Sequence, residues 1–378
     1  MRVALGSDRL FDSGMLRGRR VGVVANPASV DGSFRHLVDR AAAAPSVTLA
    51  AVFGPQHGFR ADLQDNMVES PHARDGRRRV MVYSLYSETR EPTAEMLSGL
   101  DALVIDLQDV GARIYTFVHT MANCLRAAAR HRVPVIVCDR PNPIGGAAIE
   151  GPMLVEGYES FVGLFPIPMR HGMTIGELAR LFNERFGIGA ELEVVPLEGW
   201  RRDMYWDETG LPWVLPSPNM PTLDTAVVYP GGVLFEGTQL SEGRGTTRPF
   251  ELLGAPWIRA DELAQHLRDR QIPGVELEPA AFVPTSSIFA GQSCNGLRIV
   301  LKDRSSLDSV GLGVEIRCAL QRLYPGVFQL DPALHMVGSR TVLQAIKEGQ
   351  EPQSIAAAWQ PPLDEFRRLR AAYLLYPD

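Results

Sequence analysis

Residues 102–140 read ALVIDLQDVGARIYTFVHTMANCLRAAARHRVPVIVCDR, and the order of their parts decides the fold class. A short apolar, β-branched run at 102–105 breaks into Asp106-Leu107-Gln108-Asp109. Phe117, Met121, Leu125 and Ala128 then recur at helical spacing and predict a helix over 116–132. A second apolar run at 133–138 ends in Asp139-Arg140-Pro141-Asn142. Strand, helix, strand in this rhythm is the unit of a parallel α/β sheet.

The same rhythm extends outward. Further strands are expected at 21–25, 47–53, 80–85 and 191–196, and a helix starts at Thr174, where Thr174 and Glu177 form a capping box. Polar residues gather where the strands end: Asn26 after the first, Gln56 and His57 after the second, then Asp106, Asp109, Asp139, Arg140 and Asn142. Ligands of open α/β sheets bind outside the carboxyl ends of the strands, so these positions form a candidate site. Residues 198–218 are aromatic and irregular, with their tryptophans expected to pack, and 216–221 read as a proline-rich connector carrying Asn219.

Beyond the connector, 229–251 read YPGGVLFEGTQLSEGRGTTRPFE. This segment concentrates Glu236, Glu242, Arg244 and Arg248 among glycines that allow sharp turns and close approach to a ligand. The bland alternative is a solvated loop with surface ion pairs. Helices at 261–270, 306–323, 339–347 and 363–374, with strands at 275–278 and 297–301, give the remainder an α+β character. The expected organisation is therefore a Rossmann-like domain over 1–232, a smaller auxiliary α+β domain over 233–378, and a cleft between them.

The chain has 378 residues, long for one core and consistent with two domains. Hydrophobic residues at 45% and charged residues at 22% place it among globular proteins, and a net charge of −6 gives no basic footprint for nucleic acid. No stretch has the length of a membrane span, and the N-terminus lacks the apolar core of a secretory signal, so a cytoplasmic location is expected. The four cysteines are scattered without a CxxC pair and read as free thiols.

Several chemistries find no motif. The first strand runs into NPASVDGS, without the glycine patterns of a dinucleotide site or a P-loop. GxSxG and HExxH are absent, and His57, Asp106, Asp109 and His119 show no strong zinc-ligand spacing, so neither a cofactor nor a metal is expected. His119 and His171 are equally well read as structural. Carboxylate chemistry on a hydroxyl-rich substrate fits best, because glycoside hydrolysis needs two carboxyl groups flanking one bond. Glu69, Asp106, Asp109, Glu236 and Glu242 stand in suitable neighbourhoods. Asp109 with Arg113, and Glu242 with Arg244, can also be plain ion pairs.

The series FGPQHGFR, QDNMVES, VYSLYSETREPT, DLQDVGARIYTFVHTM, DRPNPIGG, HGMTIGELA, PSPNMP and FEGTQLSEGRGTTRPFELLGAPW resembles the DUF1343 family, which includes the NamZ-type exo-β-N-acetylmuramidases. The resemblance runs over nearly the whole chain. It implies a Rossmann-like domain with an auxiliary domain. It also implies cofactor-free release of terminal N-acetylmuramic acid from peptidoglycan fragments, with a muropeptide-derived disaccharide as substrate. In that frame Glu69 or Asp106 is expected as the acid and Glu242 or Asp109 as its partner, with His57 beside them. Gln56, Asn26, Asp139, Arg140, Asn142, Asn219, Glu236, Arg244 and Arg248 are expected to hold the sugar, an arginine pairing with the lactyl carboxylate. One departure stands out: the PxHG stretch of muramidase-type members commonly carries Glu where this chain has Gln56. That leaves a sugar-binding protein without turnover as the alternative, and hydrolysis of another glycoside or ester as a third reading.

Overall fold

The computed structural model describes residues 2–60 and 69–377. The main sheet takes β1 (Arg20–Ala25), β2 (Thr48–Gly54), β3 (Ala73–Asp75), β4 (Val80–Ser84), β5 (Ala102–Asp106) and β6 (Val135–Cys138). A separate hairpin, β7 (Glu150–Met153) and β8 (Pro168–Arg170), precedes the last strand of the main sheet, β9 (Leu192–Val195). The order across the sheet is β3-β4-β2-β1-β5-β6-β9. All pairs are parallel except β3 with β4. The six parallel strands thus follow the 3-2-1-4-5-6 order of a doubly wound nucleotide-binding fold, although the sequence has no nucleotide fingerprint.

Side-chain alternation explains the two layers. Val21, Val23, Val104 and Ile136 point to one face, under α1 (Gly6–Asp12) and α2 (Leu37–Ala43). Val24, Leu103, Ile105 and Val137 point to the other, under α3 (Ala94–Leu97), α4 (Phe117–His131) and α5 (Ile175–Glu184). Every residue of β5 is buried, as a central parallel strand covered on both faces requires. The α5 capping box forms as expected: Thr174 Oγ1 accepts from the Glu177 amide at 3.3 Å, and Glu177 Oε2 accepts from the Thr174 amide at 3.0 Å.

The second domain packs helices on a three-stranded antiparallel sheet of β10 (Leu252–Ala255), β11 (Val275–Phe282) and β12 (Cys294–Leu301), with β12 in the centre. The core beneath α4 continues without a break into this domain through Leu253, Leu297, Val310 and Ile316. The sequence reading missed α6 (Leu223–Gly232), because Pro230, Gly231 and Gly232 look like helix breakers. These glycines are required by packing. α7 (Ala260–Arg268) covers the sheet, and α8 (Ser309–Leu323) lies so close to α6 that a Cβ on Gly231 would sit 1.9 Å from the Ser309 carbonyl oxygen. The expected polar loop at 229–251 therefore begins as the last turn of a helix.

Arg113 ties the two domains together. Its guanidinium donates to the carbonyls of Pro152 (2.9 Å) and Ile167 (3.0 Å) in the first domain and of Met336 (3.2 Å) and Val337 (3.0 Å) in α9 (Leu334–Val337). The anticipated pair with Asp109 is not made. Trp200 and Trp206 are buried in a small cluster with Val3, Leu5 and Leu197, so packing is their role. All four cysteines are free, and among the described residues no helix is long and apolar enough to cross a membrane.

Candidate active site

A cavity of about 220 Å³ opens between the domains at the carboxyl end of the parallel sheet. Gln56 and His57, just beyond β2, form one wall with Thr116 and Phe117 at the start of α4. Ser217, Asn219 and Met220 come from the connector, and Tyr229 from α6. Glu236, Arg244 and Phe250 close the opposite side from the polar stretch.

The backbone works to present Gln56 and His57. After β2 the chain doubles back so tightly that a Cβ on Gly54 would lie 2.6 Å from the Phe59 nitrogen. His57 has φ of 69°, a left-handed conformation costly for a residue with a Cβ and concentrated at functional sites. Gln56 Oε1 accepts from Thr116 Oγ1 at 2.8 Å, which commits its oxygen and leaves the amide nitrogen as the group to offer a ligand.

Across the cavity, Arg244 bridges two carboxylates. Its Nη2 donates to Glu236 Oε2 at 2.8 Å and its Nη1 to Glu242 Oε1. Burial alone would pull this guanidinium down, but the two acids outweigh it and hold it above its ordinary value. The side chain of Glu242 is 5% exposed and that of Glu236 22%, so Glu236 is the acid that reaches the cavity while Glu242 backs the arginine. Gly243 makes the turn possible: φ is 79°, and a Cβ there would meet the Arg248 and Leu252 carbonyl oxygens at 2.8 Å. Arg248 leaves the site, pairing with Glu251 at 2.9 Å.

The aromatic wall is built edge to face. Tyr115 meets Phe117 at 4.8 Å and Tyr229 at 5.8 Å between centroids, and Tyr229 meets Phe250 at 4.7 Å. Arg244 lies over the Phe250 ring at 4.9 Å. Burial first, and the charge of Glu236 second, push the Tyr229 phenol well above its ordinary value, so it keeps its proton and acts as a donor.

Of the residues expected from sequence, Gln56, His57, Asn219, Glu236 and Arg244 line the cavity together. The others are directed elsewhere for identifiable reasons. Asp106 is completely buried in a two-bond ion pair with Arg140, at 2.6 and 3.2 Å, which occupies both side chains. Asn26 binds the Gln108 and Pro216 carbonyls beside that pair, so the switch point between β1 and β5 is filled by protein. Asp139 accepts from the Arg140 and Gly176 amides, Thr174 Oγ1 and the Tyr376 hydroxyl, an anchor for the C-terminal segment. Asn142 caps its own loop by bonding Ile144 and Met173. Asp109 accepts from the Gly111 amide at 2.7 Å and faces His171 Nε2 at 3.1 Å, off the cavity lining. Glu69, expected as an acid, has a side chain 60% exposed and paired with Arg90 at 3.3 Å. The rest of its QDNMVES motif, 64–68, lies outside the described residues apart from Ser70. His119 is a core histidine, its Nε2 facing the Arg113 carbonyl at 2.8 Å.

The sequence reading missed Tyr115, Thr116, Tyr229 and Phe250 as site residues. The aromatic termini of the 229–251 stretch, Tyr229 and Phe250, were the available signal.

Comparison with known proteins agrees with this architecture. The family models for the N-terminal and C-terminal parts of the exo-β-N-acetylmuramidase NamZ match residues 21–224 and 227–376. The peptidoglycan β-N-acetylmuramidase NamZ of Bacillus subtilis (strain 168) is 44% identical over 364 residues, covering 96% of this chain and 88% of that protein. Crystal structures of two DUF1343 family proteins from Bacteroides fragilis NCTC 9343 superpose along the whole chain. The first has a TM-score of 0.91 at 34% identity, covering 99% of both chains. The second has a TM-score of 0.81 at 29% identity, covering 100% of both. With both family models matched end to end on a Rossmann-like domain joined to a smaller one, this chain belongs to the NamZ exo-β-N-acetylmuramidase family.

Proposed function

We propose that this protein hydrolyses the glycosidic bond of terminal N-acetylmuramic acid in peptidoglycan fragments, with the MurNAc–GlcNAc disaccharide as its smallest natural substrate. The observation that carries the reading is the seam cavity, closed enough for one substituted sugar and holding Glu236 on Arg244 opposite Gln56 and His57. Aromatic edges and amide, hydroxyl and carboxylate groups in one pocket suit a polar ring with apolar faces. Within this reading Glu236 is the protein carboxylate of the reaction, His57 handles the proton of the leaving oxygen, and Gln56 and Asn219 hold the sugar. Arg244 fixes Glu236 and, being shared by two acids, is not a free partner for the lactyl carboxylate. Soluble peptidoglycan fragments, of the kind met during cell wall recycling, are the natural source of such a substrate.

The test is turnover of MurNAc–GlcNAc followed by mass spectrometry, for the wild type, Glu236→Gln and Gln56→Glu. The wild type releases both sugars, and Glu236→Gln lowers kcat by about 10²–10⁴, the range for one acid–base group, with an unchanged melting temperature. A second reading rests on the amide at position 56, which cannot supply an acidic proton. If Gln56→Glu cleaves and the wild type only binds, the protein is a muropeptide sugar binder on the same scaffold.

A further inference from the structure

We infer that the cavity grips the 2-acetamido group of the terminal sugar between Glu236 and Tyr229, and that this group supplies the nucleophile that attacks the anomeric carbon. The inference deepens the glycosidase reading above and rests on it.

An acetamide presents one N–H donor and one carbonyl acceptor, on opposite edges of its plane. Glu236 and Tyr229 present the complement. Glu236 is held in an ion pair by Arg244 at 2.8 Å, and Glu242 lies on the other side of the same guanidinium, so Glu236 faces the cavity as an acceptor. The Tyr229 ring is clamped edge to face between Tyr115 and Phe250, at 88° to each, which fixes where its hydroxyl points. Tyr229 lines the same cavity. The two groups are near enough for the charge of Glu236 to act on the phenol. Met220, Met336 and Val162 supply apolar wall for the acetamide methyl.

An acid committed to Arg244 is a poor proton donor but a good partner for an amide N–H that gains positive charge. Gln56, across the cavity from Glu236, can neither attack nor protonate. The reaction then balances without a second protein carboxylate. The acetamide oxygen forms a bond to C1 as the C1–O bond to the leaving sugar breaks, and the leaving oxygen takes a proton from His57. The resulting oxazolinium keeps its N–H on Glu236. Water then attacks C1, gives its proton to His57 and breaks the bond from C1 to the acetamide oxygen in the oxazolinium ring, restoring the acetamide with net retention of configuration. Tyr229 holds the acetamide oxygen over C1 and excludes other rotamers.

The experiment compares a chromogenic aryl β-N-acetylmuramoside with its N-trifluoroacetyl analogue, whose carbonyl oxygen is a much weaker nucleophile. The expected result is at least a tenfold fall in kcat/KM for the fluorinated substrate, with the β-anomer as first product by proton NMR. Tyr229→Phe, which preserves the ring packing, is expected to lower kcat more than it raises KM, with an unchanged circular dichroism spectrum. Equal rates for the two substrates, or an α-anomer as first product, overturn the inference while leaving the glycosidase reading intact. No turnover of the parent muramoside sinks the glycosidase reading and this inference with it.

Discussion

Replacing Asp106 by asparagine removes one charge from a pair whose acid is expected from sequence to be catalytic and whose arginine is expected to hold the sugar, and which the structure walls in. Asp106 is 0% exposed and Arg140 2%, joined by bonds of 2.6 and 3.2 Å. Removing one partner of a buried pair leaves the other charge without compensation and costs about 3–5 kcal/mol. Asparagine keeps the shape and one acceptor, so the cost falls at the low end, about 3 kcal/mol. With a urea slope of about 3 kcal/mol/M for a protein of this size, the unfolding midpoint drops by about 1 M. Tryptophan fluorescence during urea unfolding reads that shift, because Trp200 and Trp206 are buried. The rate per folded molecule on the disaccharide should stay within about twofold of wild type, since Asp106 does not line the cavity. Arg140→Gln combined with Asp106→Asn should cost less than the sum of the two single changes, because the uncompensated charge is gone. The reasoning fails if Asp106→Asn unfolds at the wild-type midpoint but loses kcat by about a hundredfold or more, the signature of a reacting group.

Other consequences concern packing and pH. In Gly231→Ala the new Cβ sits 1.9 Å from the Ser309 oxygen where ordinary contact begins at 3.4 Å, so α6 and α8 must move apart. Overpacking of this kind costs about 1–3 kcal/mol, read as a lower unfolding midpoint, and the shift of Tyr229 and Glu236 should raise KM as well. Two buried groups tilt the pH profile in opposite senses. Burial pushes the Asp139 carboxyl up to about 7, so the folded state holds a proton that the unfolded chain releases near pH 4, and stability is lost as pH rises from about 4 to 7. Burial lowers His119 to about 4, so the unfolded chain takes up a proton first, and stability is lost as pH falls from about 6.5 to 4. Urea midpoints across that range should show Asp139→Asn removing the first slope and His119→Gln the second. A variant whose curve runs parallel to wild type refutes the corresponding assignment.

Much of the fold was legible in the sequence because its signals are local. The β-branched runs, the stripe of Phe117, Met121, Leu125 and Ala128, and the capping box of Thr174 and Glu177 each specify backbone shape within a few residues. They therefore placed the parallel strands of the Rossmann-like domain. The rule that strand ends carry the site led to Gln56 and His57, and the density of polar groups in 229–251 led to Glu236 and Arg244. Where local pattern and packing disagree, the sequence misled: Pro230-Gly231-Gly232 signals a turn, yet α6 stays helical there because only glycine lets α8 approach.

The choice among carboxylates belonged to the tertiary structure. Asp106 and Glu236 are the same kind of signal in the sequence, an acid after an apolar run. What separates them is a partner 34 residues away just past the end of the next strand, Arg140, which consumes Asp106, while Arg244 turns Glu236 outward by sharing itself with Glu242. Likewise Tyr229 and Tyr115 become a site only when α6 from one side of the seam is packed against the β5–α4 loop from the other. The sequence alone determined the parallel strands and most helices, the family resemblance and the neighbourhood of the site. Which side chains face the substrate depended on pairings between residues far apart in the chain, whose free energy is set by burial and distance that only the folded structure supplies.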